Sequence, residues 1–399
     1  MTGDVMQVGD RLLVDWEDTM DEEPWLTFQS GTPVRLTMAK VDPEGDFSSD
    51  YEDLAFTRIG ACAPAPKQAQ LSDTQASVQV DALLRAYTGD VPGASVLVMR
   101  GGAPVLQRAY GLADLETRAP ATPDTNYRLA SVTKQFTAAA VLLLTEQGKL
   151  RLDDPVSKWL PSLPEATQGA TLRHLPTHTS GLIDYEEFVA DDAPQVHDAD
   201  VLRLLENENR VYFAPGSAYR YSNSGYALLA LIVDKASGQP FATFLRERIF
   251  APLEMNSTVG FEQGVSTVER RAYGYTAAAP SWKRTDQSST SAVLGDGGIY
   301  SSSSDLAKWD AALNDNRLLR AESRALAFTP ATHTENPSID YGMGWRITGE
   351  TLWHSGETRG FRNVIIRYPE RQVTVIVLTD RNDPEPYALA RAIARLYTR

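Results

Sequence analysis

Cysteine is all but missing from this chain of 399 residues. Cys62 is the sole one, which excludes an intramolecular disulfide and any metal site built from several thiolates. Positive charge is also scarce, with 38 Lys and Arg against 52 Asp and Glu and a formal net charge of −14. A surface of that sign repels phosphate backbones and anionic lipid, so nucleic acid is not an expected partner. No apolar run reaches the roughly 18 residues needed to cross a bilayer, so no transmembrane segment is expected. Residues 1–14 lack a basic start followed by an apolar core, and no export signal is legible. That leaves the compartment open, since a signal could have been removed.

Several catalytic signatures are missing too. No G-x-S-x-G elbow occurs anywhere, which argues against an ordinary α/β-hydrolase. His174 and His178 stand four apart, the spacing of two metal ligands on one helix face. Pro176 breaks such a helix, and no glutamate follows His174, so neither a metal nor another cofactor is expected. Gly295-Asp296-Gly297-Gly298 lacks the Lys-Ser/Thr ending of a phosphate loop and reads as a tight turn. Asp153-Asp154 and Asp191-Asp192 read as solvated turn acids rather than a glycosidase pair. No internal repeat is visible.

What is present suits an ordinary globular protein, with 42% hydrophobic and 23% charged residues. Arg11–Trp16, Trp25–Phe28, Val34–Met38 and Leu54–Ile59 read as short strands parted by acidic, Gly- and Pro-containing turns. They define a β-rich extension over residues 1–61, too small to enclose a ligand, which could pack on the main body or on a second copy of the chain. Residues 62–71 read as a Pro-stiffened linker, and a main domain follows over 72–399. Val78–Tyr87 has helical spacing, with Val78, Val80, Leu83 and Leu84 as its apolar positions. Ala94–Arg100 and Val105–Gly111 read as a hairpin turning at Gly101-Gly102.

Helices are expected over Leu202–Asn207, Tyr226–Lys235, Phe241–Phe250 and Leu306–Leu313, the last capped by Ser304 or Asp305. Gly344–Ile347, Val364–Tyr368 and Val373–Leu378 read as strands, and Tyr387–Tyr397 as a final helix. Strands at both ends with helices between them predict an α/β (α+β) fold. Its central antiparallel sheet would be built from about 72–130 and 290–399 and flanked by helices, with an all-helical lobe inserted over about 150–290.

The chemistry concentrates at Ser131-Val132-Thr133-Lys134. The run that follows, Gln135–Leu144, has no Gly or Pro, and Gly148 suits its end. A helix apolar on nearly every side belongs in the interior, with Ser131 at its positive end and Lys134 one turn on along the same face. A serine hydroxyl becomes a nucleophile when a base takes its proton, and a buried lysine can serve. Alone, the tetrapeptide reads better as a capping serine and a snorkelling lysine. Tyr221-Ser222-Asn223 offers a phenol that a nearby ammonium could hold as a base, and an amide able both to donate and to accept. His354-Ser355-Gly356-Glu357 falls where an inner strand is expected, with Gly356 allowing close approach to the backbone.

S-x-x-K, then Y-x-N about 90 residues later, then a His/Lys-x-Gly triplet near the C-terminus is an ordered set. In this order and spacing the chain resembles the serine β-lactamase and penicillin-binding protein superfamily. The likeness is closest to its class C branch, with D-alanyl-D-alanine carboxypeptidase and β-lactamase-like esterase relatives. Tyr127–Lys134, Thr177–Leu182, Gly297–Ser301 and His354–Phe361 resemble recurring segments of that superfamily, and the likeness covers roughly residues 72–399. It implies a serine hydrolase with Ser131 as the acylated nucleophile, Lys134 as its activating neighbour and Tyr221 as general base. It implies backbone N–H groups of Ser131 and Glu357 as the oxyanion hole, and Asn223, His354, Ser355 and Gly356 as substrate-binding residues. A small acyl substrate is the implied partner.

Penicillin-hydrolysing members carry lysine where His354 stands, and a largely neutral histidine shifts the expectation toward esters or small D-amino-acid amides. β-Lactamase or D,D-carboxypeptidase activity, or a non-catalytic penicillin-binding sensor, are the alternatives. A periplasmic or secreted location is implied only by the likeness.

Overall fold

In this computed structural model the described residues are 71–336 and 338–398, together with four strands among the first forty. Those four, β1 (Gly3–Val8), β2 (Arg11–Trp16), β3 (Trp25–Gln29) and β4 (Arg35–Ala39), form an antiparallel meander in that order. The first is not among the strands expected from the sequence, because Asp4, Met6 and Gln7 spoil any apolar alternation. The expected strand Leu54–Ile59 and the linker over 62–71, apart from Leu71, lie outside the described residues.

The body is organised by an eight-stranded sheet. Its strands are β5 (Ala94–Arg100), β6 (Ala103–Tyr110), β7 (Thr332–His333), β8 (Asp340–Tyr341), β9 (Arg346–Thr348), β10 (Thr351–Thr358), β11 (Phe361–Tyr368) and β12 (Val373–Thr379). They pair antiparallel throughout in the order β7-β8-β9-β10-β11-β12-β5-β6. The β5–β6 hairpin turns where expected, at Gly101 and Gly102, whose φ of 58° and 79° suit residues without a Cβ. The register Leu97↔Ile376 joins the early hairpin to the late strands, so one sheet is assembled from distant parts of the chain, as the sequence pattern predicts.

Six helices matter to the site and its support: α1 (Asp73–Leu83), α2 (Lys134–Glu146), α3 (Asp198–Glu206), α4 (Asn223–Ser237), α5 (Ser303–Ala312) and α6 (Tyr387–Thr398). Both sheet faces are covered, which is why β12 is buried at every position rather than at alternate ones. Val96, Val98, Val375 and Val377 pack with Val80 and Leu84 of the α1 segment and with Ile393 of α6. Leu97, Ile365, Ile376 and Leu378 share the other core with Phe136 of α2 and Trp309 of α5. Burying one such large side chain contributes roughly 1.5–3 kcal/mol.

Two expected details shift. α1 begins at Asp73 because Ser72 and Gln75 form a capping box. Its buried stripe is Ala76, Val80 and Leu84 at helical spacing, leaving Val78 and Leu83 exposed. The cap of α5 is Ser302, whose hydroxyl accepts the Asp305 N–H at 3.2 Å. The Asp305 carboxylate is spent instead on the Ser257 N–H and the Thr258 hydroxyl, each at 2.9 Å.

Candidate active site

The chain reaches α2 through a short 3-10 turn, Ala130–Thr133, that follows the two-residue strand Tyr127–Arg128. Ala130 takes φ 48°, a left-handed conformation that costs a non-glycine residue roughly 1–2 kcal/mol. This corrects the expected helix start. Ser131 lies within the 3-10 turn, before α2 proper begins, and no side-chain cap bond is made there. Its hydroxyl is thereby left for other partners. Gly148 ends the helix as expected, one residue past it at φ 69°.

Lys134 is fully buried. Its Nζ donates to Ser131 Oγ at 2.9 Å, to Asn223 Oδ1 at 2.7 Å and to the Asp296 carbonyl at 3.1 Å. Tyr221 is hydrogen-bonded to the same Ser131 Oγ at 2.8 Å. Two remote sequence segments thus meet on one oxygen. Asn223 opens α4, where its backbone N–H donates to Asp184 Oδ2 at 2.7 Å. Asp184 therefore places negative charge at the positive end of that helix.

The third segment comes from β10. β9 pairs with β10 only as far as Trp353, so from His354 onward that edge has no strand partner and runs against the Ser131 turn. A Cβ on Gly356 would sit 2.1 Å from the Leu129 carbonyl oxygen. The space Gly356 leaves is taken by the chain's own backbone, which draws Glu357 up to the turn. The cleft in front of Ser131, about 300 Å³, is lined on this side by Glu357 and Thr358, and elsewhere by Asn223, Tyr185, Glu186 and Asp296.

His354 and Ser355 are not among the lining residues. His354 is buried, its Nδ1 2.6 Å from the Ser355 carbonyl and its Nε2 2.8 Å from the Tyr341 hydroxyl. A carbonyl only accepts, so Nδ1 carries the hydrogen and Nε2 accepts from Tyr341. Burial, then Arg346 and Lys134, hold this ring well below the ordinary histidine pKa.

The sequence places the His178 segment in a structural loop beside the site, but what its ring touches, and the other supports, it does not show. His178 takes φ 58° and stacks on Tyr221 with centroids 4.2 Å apart, while its Nδ1 accepts the Ser222 N–H at 3.1 Å. It too is buried and pushed toward the neutral form. The stretch read as a tight turn contributes a short helical turn, Leu294–Gly297, whose Leu294 and Gly295 N–H groups Asp198 accepts at 2.9 and 3.0 Å. That turn aims the Asp296 carbonyl at Lys134. The only advance signal was a glycine-rich run with one acid in it.

Burial pushes the Asp296 carboxyl up to about 8, and Tyr185 donates to it at 2.8 Å. Between the unfolded value of 3.8 and about 8, the folded state holds a proton that the unfolded state has lost. Stability from this group therefore falls as pH rises through that interval. The melting temperature is expected to drop between pH 6.5 and 8.5, and Asp296→Asn to flatten that slope, as thermal melts across pH would show. The two histidines oppose this slope near pH 6.5, where their unfolded-state rings are half protonated, and drop out above about pH 7.5; Asp296→Asn leaves that contribution unchanged, so the difference between the two chains isolates Asp296.

Among the described residues no cluster of His, Cys, Asp and Glu could hold a metal ion, and no helix is long and apolar enough to cross a membrane. Compared with known proteins, the chain matches the family described as Beta-lactamase over residues 80–399. It is 34% identical over 316 residues to penicillin-binding protein 4* of Bacillus subtilis, covering 74% of this chain and 70% of that protein. Among solved structures it is similar to the octameric penicillin-binding protein homologue of Pyrococcus abyssi. That match has a TM-score of 0.71 at 27% identity and covers 82% of this chain and 77% of the other. It is also similar to the D-amino acid amidase of Ochrobactrum anthropi, with a TM-score of 0.67 at 25% identity, covering 81% and 96%.

Proposed function

Because this chain belongs to the beta-lactamase family, we propose that it hydrolyses an ester or a small amide through an acyl group carried transiently on Ser131. The serine-hydrolase class comes with the family; the substrate and the residue roles are the proposal. One observation carries it: Lys134 Nζ and the Tyr221 oxygen both lie within 3 Å of Ser131 Oγ.

In acylation, Ser131 Oγ attacks the substrate carbonyl carbon while its proton leaves along the 2.8 Å contact to the deprotonated Tyr221 oxygen. Lys134 offsets the negative charge on that oxygen. The carbonyl oxygen, now an oxyanion, takes the backbone N–H groups of Ser131 and Glu357, a kind of donor whose loss costs on the order of 3 kcal/mol. Collapse breaks the bond to the alcohol or amine, which leaves with the proton from Tyr221. A water molecule then attacks the acyl carbon and gives a proton to Tyr221; collapse breaks the bond to Ser131 Oγ, which takes that proton back from Tyr221 as the acid is released. Asn223 holds Lys134 in place. His354, buried and hydrogen-bonded at both nitrogens, is assigned no contact with substrate.

The cleft supports a substrate without a carboxylate. Glu186 and Glu357 line it, and Arg128 is engaged by the Ser291 and Gly297 carbonyls. Arg210 and Arg220 pair with Glu187 rather than with Glu186. The amidase neighbour, whose structure holds L-phenylalanine amide, supports a small amino-acid amide. The penicillin-binding names among the relatives favour a second reading, a penicilloyl adduct that releases slowly. The octameric neighbour supports self-association, which need not involve residues 1–61.

Fluorophosphonate labelling with peptide mapping, run beside a nitrophenyl ester, a D-amino-acid anilide and a chromogenic cephalosporin, tests this reading. Modification at Ser131 is expected, with ester or anilide turned over faster than the cephalosporin. Modification elsewhere would remove the mechanism; a stable penicillin adduct with no ester turnover would favour the second reading.

A further inference from the structure

The neighbourhood of Tyr221 raises a question of charge. Two histidines face it, His178 at 4.2 Å and His354 at 6.4 Å between ring centroids. Each has a ring nitrogen pinned in a neutral pattern, since His354 Nε2 accepts from the Tyr341 hydroxyl and His178 Nδ1 accepts a backbone N–H. Tyr226 from α4, Tyr341 from β8 and Tyr219 from its own segment complete an uncharged aromatic surround. From α2 comes Lys134, whose Nζ is 4.9 Å from the Tyr221 centroid.

Only one other cation faces this ring among the described contacts: Arg346, the first residue of β9. Its register partner on β10 is Trp353, the residue just before His354. The guanidinium carbon lies 5.6 Å from the Tyr221 centroid and 5.4 Å from that of Trp353. No carboxylate pairs with Arg346 among the described residues, and its Nε is buried without a hydrogen-bond partner. Arg346 is half-buried, and a guanidinium set against these rings with no anion beside it is only partly compensated. The arrangement makes sense if the anion is formed transiently by the chemistry next to it.

We infer that Arg346 is a positioning residue that supplies the permanent second positive charge beside Tyr221, stabilising negative charge on the phenol oxygen while the proton of Ser131 is in transit. The charge that lysine brings at position 354 in penicillin-hydrolysing enzymes is here moved one strand outward, onto β9. A guanidinium stays protonated at any working pH, so the site keeps this charge where a histidine would lose it. Arg346 also helps to keep His354 and His178 neutral, which preserves both hydrogen-bond patterns. The inference rests on the reading of Tyr221 as the proton carrier.

The test is the pH profile of kcat/KM on a nitrophenyl ester for the unchanged chain, Arg346→Met, Arg346→Lys, and Arg346→Met combined with His354→Lys. In the Met variant the acid limb is expected to move up by about one pH unit, with kcat/KM about tenfold lower at its foot and converging on the parent at high pH. Arg346→Lys should lie near the parent, and lysine at position 354 should restore much of the limb in the Met background. A Met variant whose limb coincides with the parent's, or a Lys variant no better than Met, overturns the assignment. Arg346→Gln carries the same expectations if the Met variant does not fold, which thermal melts report. Hydrolysis that survives Ser131→Ala would remove the acyl-enzyme reading itself. A Ser131-dependent activity with an unshifted limb removes only the role of Arg346.

Discussion

Replacing Ser131 by alanine is expected to lower kcat on an activated short-chain ester by about ten-thousandfold or more, to the level left by binding and the oxyanion donors alone. The expectation is steep because two polar groups, Lys134 Nζ and the Tyr221 oxygen, converge on this single hydroxyl. The change removes one oxygen from a turn held by other bonds, such as that from the Leu129 N–H to the Ile299 carbonyl at 2.8 Å, so the melting temperature should stay close to the parent's. Initial rates on a nitrophenyl ester together with a thermal melt check both halves. Full activity in this variant would end the serine mechanism.

The second large effect is expected from Tyr221→Phe. The phenyl ring keeps the stacking on His178 and the contact with Lys134, and only the oxygen 2.8 Å from Ser131 is lost. Turnover should fall by about a hundredfold or more, the usual weight of a positioned proton carrier. KM should change far less, since the ring still shapes the surroundings. Steady-state kinetics separate the two constants. An unchanged kcat would hand the base role to Lys134 alone.

The parts legible in the sequence are those that depend on local pattern. The apolar run of α2, the hairpin at Gly101-Gly102 and the three late strands follow from periodicity and turn chemistry, and the sheet built from both ends follows from their order. The spacing of Ser131, Lys134, Tyr221 and Asn223 gave the centre of the site. What the pattern does not contain is which atoms face each other across the fold. Gly356 was read as room for a ligand, yet the Leu129 carbonyl takes that room. His354 was expected in the cleft wall and lies buried behind it, because its partner Tyr341 sits two strands away. Asp296 and Arg346 carry no motif at all. Their importance comes from the Asp198-held turn and from strand register, both set by tertiary packing.

The sheet order also bears on how the protein is made. β5 lies between β6 and β12, so residues 94–100 leave the ribosome long before residues 373–379 arrive to pair with them. At the ordinary pace of translation that delay is on the order of tens of seconds. Throughout it the nascent hairpin offers an open, apolar strand edge, the kind of surface on which chains stick to one another. The same late arrival brings β10, whose Gly356 packs against the Leu129 carbonyl beside the Ser131 turn. The Ser131 turn and the sheet are thus completed together near the end of synthesis.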